Sequence, residues 1–349
     1  MATRTLMYTD YDYSDIDYNW LNTTVDFYDD AHGPFTTLFM VLYSIIFLLG
    51  VPGNAAVIWW GGLKIKKTVN SVWFVNLAIA NFFCCLTLPF RIVDIALFFN
   101  WPFGHFLCKL NPLLIYTNTF ASVFILIALS IDHCLLVIKP TWYLNKRTIC
   151  MAYVLCLIIW ALAFLMSLPF CVLIGTSTFL GHTLCYYNAA HANAYIHSPI
   201  TSIPWAVLGI LIPILVFMAC YSIRYVYGKR KLSQTFKVIL SAAVAYFVCW
   251  LPYNAIHILL TVIHFGTHLI KILTNLYHFT NVLVFSNSCI NPILYVCFGH
   301  DFRGTSRWSM RHILENAFGE ESMASTSNAW QSLSIEEDVA SNSSVNASG

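Results

Sequence analysis

The sequence predicts an all-α membrane protein, a seven-transmembrane helix bundle followed by a short amphipathic eighth helix. Three observations carry that expectation. The 349 residues are 58% hydrophobic and only 10% charged, whereas soluble domains carry about 25% charged residues. Between Lys109 and Asp132 lie 22 residues without one Asp, Glu, Lys or Arg. That length crosses a hydrocarbon core of about 30 Å as a helix, with every backbone N–H and C=O satisfied inside the segment. Such stretches recur, with apolar cores over 36–61, 70–97, 107–138, 149–173, 203–227, 235–263 and 271–297.

Residues 1–35 precede the first core and form an acidic, tyrosine-rich tail. Seven of the sixteen acids fall there: Asp10, Asp12, Asp15, Asp17, Asp26, Asp29 and Asp30. Its low hydrophobicity and one-sided charge give it nothing to bury. No basic start or cleavable leader precedes the first core, which would serve as its own signal anchor. The bundle is assigned to residues 36–299. Segments four and five are divided by a polar stretch, GTSTFLGHTLCYYNAAHANAYIHSP, because no charge occurs between Thr148 and Ile223. Residues 300–318 read as an amphipathic helix on the inner leaflet, with Phe302, Trp308, Ile313 and Leu314 near one face. Residues 319–349 form a Ser-rich acidic tail.

Basic residues set the orientation. Lys64, Lys66, Lys67, Lys139, Lys146, Arg147, Arg224, Lys229, Arg230, Lys231, Lys237, Arg303, Arg307 and Arg311 are fourteen of the eighteen Lys and Arg, and all lie on one side of the topology. That side is expected to be cytoplasmic, leaving the N-terminus outside in a multi-pass plasma-membrane protein. Asn22-Thr23-Thr24 is then a glycosylation acceptor on the correct side. Net charge is +2, which implies no bulk attraction to nucleic acid. Nine of the twelve cysteines sit in or beside apolar runs and no CxxC spacing occurs, so neither a metal site nor a redox site nor a cofactor is expected. His257, His264, His268 and His278 gather near the outer ends of segments six and seven. Such loop and interface histidines are far commoner than sites.

The segments carry a series of short motifs. They are Gly53-Asn54, Asn76-Leu77-Ala78, Trp160, Pro213 with Tyr221, Cys249-Trp250-Leu251-Pro252 and Asn291-Pro292-Ile293-Leu294-Tyr295. In this order the chain resembles a rhodopsin-like (class A) G-protein-coupled receptor over about residues 36–318. Val69–Phe74, Cys84–Pro89, Trp101-Pro102-Phe103-Gly104 and Phe285–Cys289 resemble the chemoattractant branch, the complement anaphylatoxin and formyl-peptide receptors. So does Ile313-Leu314-Glu315-Asn316-Ala317-Phe318.

The resemblance implies a receptor for an extracellular peptide or small protein, signalling to a heterotrimeric G protein and to arrestin. It implies no enzyme, and no nucleophile–base constellation is visible. It implies a disulfide between Cys108 and Cys185, with Cys171 as the competing partner. Pro213, Pro252 and Pro292 each remove a backbone donor and favour kinks, which in the family let helices swing when ligand binds above Trp250. Asn81 stands where the family has a buried Asp. Asp132-His133-Cys134 stands where the family has Asp-Arg-Tyr, which puts G-protein coupling in doubt. A non-signalling scavenger or arrestin-biased receptor is therefore the alternative. A transporter or channel would show intramembrane charge pairs or internal repeats, and neither is visible.

The outer pocket also departs from the resemblance. Where those receptors hold an anionic ligand end with basic residues, this chain has Trp205 and Ile174. Arg91 is left, three residues from Asp94 and able to pair with it. The expected lining is Arg91, Tyr116, Trp205, His257 and Asn281, more apolar and aromatic than in the family. Tyr8, Tyr11, Tyr13 and Tyr18 lie beside aspartates and are candidates for sulfation, which would favour a basic ligand. Ser325, Ser327, Ser332 and Ser334 are candidates for phosphorylation ahead of arrestin.

Overall fold

The computed structural model describes residues 35–179, 181–187, 205–227, 234–262, 268–299 and 310–318. Its helices are α1 (Phe35–Trp59), α2 (Val69–Cys85), α3 (Leu88–Ala96), α4 (Gly104–Ile138), α5 (Pro140–Lys146), α6 (Ile149–Leu173), α7 (Ile212–Tyr227), α8 (Gln234–Val262), α9 (His268–Gly299) and α10 (Met310–Phe318). Seven spans are long and apolar enough to cross a membrane. They are α1, α2 with α3, α4, α6, α7, α8 and α9.

Caps and breaks follow local chemistry. The Thr68 hydroxyl accepts from Ser71 N (3.1 Å) while Ser71 Oγ accepts from Thr68 N (2.8 Å), a reciprocal cap that starts α2. The Thr148 hydroxyl accepts from Met151 N and starts α6 with a single cap bond. The second span, expected as one helix, breaks at Leu86-Thr87. Pro89 has no N–H to offer there, and Thr87 Oγ1 turns back onto Cys84 O at 2.7 Å. A π-turn, Val207–Leu211, leads into α7 just before Pro213. Tyr246 on α8 donates to Gly209 O within that turn (3.0 Å).

The third span is the axis, as its uncharged length suggests. Ala121, Val123, Ile125 and Leu129 of α4 have no exposed surface. Large apolar residues on α1, α6 and α7, among them Leu48, Leu157, Leu165, Leu215 and Met218, face outward, where lipid rather than water is the solvent. Polar ties cross the bundle. Trp160 Nε1 donates to Asn76 Oδ1 (3.1 Å), and Thr117 and Ser167 share a hydrogen bond of 2.6 Å. Asn54 Nδ2 reaches Ser288 O at 2.8 Å. Gly53 lets α1 approach α9, since a Cβ there would lie 3.1 Å from Pro292 Cβ.

At one end, the polar stretch after α6 begins as a β-hairpin, β1 (Ile174–Phe179) against antiparallel β2 (His182–Tyr187), turned at Gly181 with φ +83°. From sequence this stretch is only a polar divider. Two short runs holding Ile, Thr, Phe and Tyr on either side of Gly181 are the signal that marks the hairpin. Cys185 is joined to Cys108 at the start of α4, and Cys171 keeps a free, half-buried thiol. Trp101 N donates to Thr183 O (2.7 Å) and Thr183 N to Asn100 Oδ1 (2.9 Å), so the first loop at this end holds the hairpin too.

At the opposite, lysine- and arginine-rich end, the apolar side of α10 meets protein. Ile313, Leu314, Ala317 and Phe318 are buried against α2, α8, α9 and the π-turn Trp60–Lys64 that follows α1. The expectation of a helix lying on a leaflet does not allow for this seat. Four apolar residues at 313, 314, 317 and 318 make one face, and the bundle offers Phe74 and Tyr295 to it. Trp308 lies outside the described residues.

Candidate functional site

Beneath the hairpin the aromatic residues of four spans converge. Trp205, entering the fifth span, is only 3% exposed. Its ring lies 4.9 Å from Phe120 and 5.3 Å from Tyr116, both on α4, 6.0 Å from Phe170 on α6, and 5.2 Å from Trp250 on α8. Tyr116 stacks on Phe170 at 3.7 Å. Aromatic pairs of this kind add about 0.5–1.5 kcal/mol each beyond burial. Where the receptors it resembles keep a cation, this chain has built a close-packed indole that touches Trp250 directly. Tyr116 and Trp205 are therefore brought together as expected, while Phe120 and Phe170 are additions from the structure. Both read as ordinary core in an apolar run.

The other expected lining residues stand apart from that cluster. His257 is buried 5.7 Å from the Tyr253 ring, which in turn packs on Trp250 and Tyr277. Asn281 turns its amide back to Tyr277 O at 2.9 Å on its own helix. Arg91 pairs with Asp94 at 3.0 Å and lies 5.8 Å from the Phe99 ring. Phe98 and Phe99 hold φ of +52° and +62°. Such backbone is costly for non-glycine residues, and it brings Phe99 against Arg91 and His278. Lys109 donates to Cys171 O and Val172 O (3.3 and 3.4 Å) at the end of α6. The side chain of Lys271 lies outside the described residues, as do His264 and the tail candidates Tyr8, Tyr11, Tyr13, Tyr18, Asn22, Ser325, Ser327, Ser332 and Ser334. His278 packs on Phe39 and Tyr277.

In the middle of the bundle Asn81 has no exposed surface, and neither its amide oxygen nor its nitrogen meets a hydrogen-bonding group among the described residues. Ser122 of α4 and Asn287 and Asn291 of α9 do not bond it. Ser122 turns to Asn118 instead (3.3 Å). An amide supplies only a dipole where a carboxylate would supply charge, and a bare cation buried without charge is strongly disfavoured. Ligand affinity is accordingly expected to be the same in sodium and in choline salts at constant ionic strength. Asn81→Asp is expected to introduce a sodium dependence. A sodium response in the unaltered chain, measured by radioligand or fluorescent-ligand binding, would contradict this.

At the basic end Asp132 is fully engaged, though not by its neighbour. Arg147 donates to it from Nε (3.0 and 3.1 Å) and Nη2 (2.9 Å), a forked pair of the stronger, charge-assisted kind. Tyr143 of α5 donates to Asp132 Oδ1 at 2.9 Å. Burial first, and then the Asp132 carboxylate, push the Tyr143 phenol far above its usual range, so it stays a donor. Arg147 Nη2 also donates to Asn70 Oδ1 at 2.7 Å. His133 Nδ1 lies 3.0 Å from Leu129 O and 3.5 Å from Asp132 Oδ2. Arg224 of α7 sets its guanidinium 4.8 Å over the Phe236 ring of α8. Arg147, Tyr143 and Arg224 carry no mark in the sequence, where the basic residues serve only to fix orientation, and Asn70 is marked only as part of the Val69–Phe74 motif.

The switch candidates are spread along the same axis. Pro213 follows the π-turn, and Pro252 and Pro292 lie within α8 and α9. Tyr221 is exposed. Tyr295 is fully buried, edge-on to Phe74 at 5.2 Å and to Phe318 at 5.2 Å.

The family pattern described as "7 transmembrane receptor (rhodopsin family)" matches residues 53–295. Among curated proteins, the C3a anaphylatoxin chemotactic receptor of Oncorhynchus mykiss is 40% identical over 319 residues, covering 88% of this chain and 86% of that one. The chemerin-like receptor 2 of Homo sapiens is 38% identical over 295 residues, covering 82% and 83%. The C5a anaphylatoxin chemotactic receptor 1 of Pan troglodytes is 32% identical over 330 residues, covering 93% and 94%.

Proposed function

The chain belongs to the rhodopsin family of seven-transmembrane receptors, and on that premise we propose that it is a plasma-membrane receptor for a peptide or small-protein chemoattractant. The observation that carries the reading is the aromatic cluster around Trp205, set directly on Trp250 beneath the disulfide-tied hairpin. The hairpin end is extracellular and the lysine- and arginine-rich end cytoplasmic. Ligand enters past Arg91, Tyr277 and His257 and presses on Tyr116 and Trp205, which pass the displacement to Trp250. With Arg91 held by Asp94 and Lys109 by backbone carbonyls, this mouth favours an apolar or uncharged ligand end over a free carboxylate.

The acidic tail, N-glycosylated at Asn22 and sulfated at Tyr8, Tyr11, Tyr13 or Tyr18, steers a basic ligand by long-range attraction. The tail has a measurable consequence. Association should slow about tenfold or more when residues 1–30 are deleted or when ionic strength rises to where the Debye length is about 3 Å. A ligand indifferent to both would remove the steering role. On the cytoplasmic side the receptor engages arrestin after phosphorylation at Ser325, Ser327, Ser332 or Ser334, and a G protein weakly. A scavenging or arrestin-biased receptor is the second reading, favoured by His133 in place of an arginine. A panel of chemoattractant peptides and proteins, read in parallel by G-protein and arrestin sensors, tests both readings. Silence of every ligand in binding as well as in both sensors would count against the chemoattractant assignment.

A further inference from the structure

The rings at the floor of the aromatic cluster carry polar atoms that the protein leaves unused. Trp205 and Trp250 are both almost fully buried, and neither indole Nε1–H meets an acceptor among the described residues. A buried donor left unmet is a standing cost that an acceptor on a ligand removes. Gly209, in the π-turn, shows where the Trp205 edge lies. A Cβ built there would stand 3.8 Å from Trp205 Cε2, the ring carbon bonded to Nε1, and 3.9 Å from the Tyr246 hydroxyl oxygen. The missing side chain at 209 thus faces an indole edge and a phenol oxygen together. Tyr246 has no exposed surface and gives its own proton to Gly209 O, so its oxygen keeps only lone pairs. The Tyr246 and Trp250 rings lie 5.9 Å apart, and the Trp205 and Trp250 rings are tilted by 53° rather than stacked. Each ring packed on the two indoles among the described residues is an uncharged phenyl, phenol or indole.

We propose that Trp205, Trp250 and Tyr246 bind the primary carboxamide of a C-terminally amidated peptide. The floor offers two donors, one acceptor and no charge. An amide carbonyl has two lone pairs, one for each indole N–H, and its NH2 group has a proton for the Tyr246 oxygen. A carboxylate has no proton to return to Tyr246. It also gives up its hydration with no cation in contact, which is strongly unfavourable. Arg91 and Lys109, cations at this end, are held by Asp94 and by Cys171 O and Val172 O. An ester accepts but donates nothing, and a hydrocarbon end leaves all three atoms as they are. A site built to hydrogen-bond a group rejects the analogue lacking it far more strongly than an apolar wall rejects a misfit. The three polar rings therefore read the chemistry of the ligand's end, whereas Phe120 and Phe170 read only its shape. The contact also falls on Trp250 directly, so the group that is recognised is the group that moves that ring.

The inference deepens the chemoattractant reading and rests on it for the source of the peptide, while its test uses defined probes. These are hydrocinnamamide, hydrocinnamic acid and methyl hydrocinnamate, which share one aromatic ring and differ only in the terminal group. The full-length chain in nanodiscs carries isotope-labelled indole nitrogens and is followed by NMR, with Trp205→Phe and Trp250→Phe assigning the two signals. The amide is expected to move both indole protons downfield and to bind about tenfold or more tighter than the acid. The ester is expected to fall between them. Tyr246→Phe is expected to bring the amide down to the ester while leaving the ester unchanged, a result that a merely structural role of Tyr246 does not produce. Trp205→Arg, which sets a cation at the floor, is expected to invert the preference in favour of the acid. The comparison of probes on the unaltered chain decides the matter even where a variant fails to reach the membrane. Binding of the acid or the ester as tightly as the amide overturns the proposal. So do indole signals that the amide leaves unmoved at concentrations on the order of ten millimolar, the outcome if internal water alone serves these atoms. A chemoattractant that binds and leaves both indole signals unmoved defeats this inference and spares the receptor reading. Amide recognition with no chemoattractant engaged defeats the receptor reading and spares this one.

Discussion

Cys108→Ala and Cys185→Ala are each expected to abolish surface expression or ligand binding, while Cys171→Ala leaves both near normal. Cys108 begins α4 with no exposed surface and is joined to β2. The bond pins a polar, charge-free connection of about thirty residues over the bundle mouth, and losing a structural disulfide typically costs about 2–5 kcal/mol. The polar restraints on the hairpin among the described residues are weaker. Its backbone ties to Asn100 and Trp101 and the 3.1 Å contact of His105 with Thr176 are individually worth about 1 kcal/mol. Without the covalent tie, the hairpin would drift from the mouth that the ligand must cross. Surface labelling and binding on the same cells separate misfolding from loss of recognition. Normal binding by both variants would remove the bond from the functional site, and loss on Cys171→Ala would assign weight to the thiol that the structure leaves free.

The spans and the proline positions were legible because each is a local signal: an apolar run and a missing donor are readable without a neighbour. The Arg91–Asp94 pair was legible for the same reason, at three residues' spacing on one helix. The Cys108–Cys185 pairing, 77 residues apart in sequence, came instead from the resemblance. What escaped is set by contacts between residues distant in sequence. Asn70 meets Arg147 across 77 residues and Phe318 across 248, and no periodicity marks such partners. Arg147 looked like one more basic residue fixing the topology, although its fork satisfies the buried carboxylate of Asp132. Helix α10 was legible as amphipathic, but an apolar face is equally suited to a leaflet or to protein, and only the aromatic rings opposite Phe318 distinguish the two. Trp205 marked a lost cation from sequence. That it fills the site with stacked rings needed the geometry of α4, α6 and α8.

The unmodified chain is expected to activate G protein weakly or not at all, and His133→Arg is expected to raise that activation by about 10- to 150-fold. The range is the worth of one charge-assisted hydrogen bond, about 1.5–3 kcal/mol, converted at 1.4 kcal/mol per tenfold. In the family this motif resembles, the helix-three arginine rests on its neighbouring aspartate and then swings to the transducer. Arginine is permanently charged, long and forked. Histidine is shorter, offers at most two donors and has a reference pKa of about 6.5. Here His133 lies against Leu129 O and the edge of Asp132, while Arg147 and Tyr143 already hold that carboxylate. The resting charge of Asp132 is thus satisfied without an arginine at 133, so the fold should tolerate either residue and surface levels should match. An introduced arginine would find Asp132 largely taken and would be the freer to reach a partner. By the resemblance, Asn81 stands at a second part of the same relay, whereas Tyr221 and Tyr295 are both retained. Arrestin recruitment, proposed above to depend on tail phosphorylation, is expected to change much less than G-protein activation. The comparison is made on ligand- or tether-activated receptor at equal surface density. Robust activation by the unmodified chain, equal to that of His133→Arg, would show that cations elsewhere at this face, such as Arg224 over Phe236, suffice for coupling.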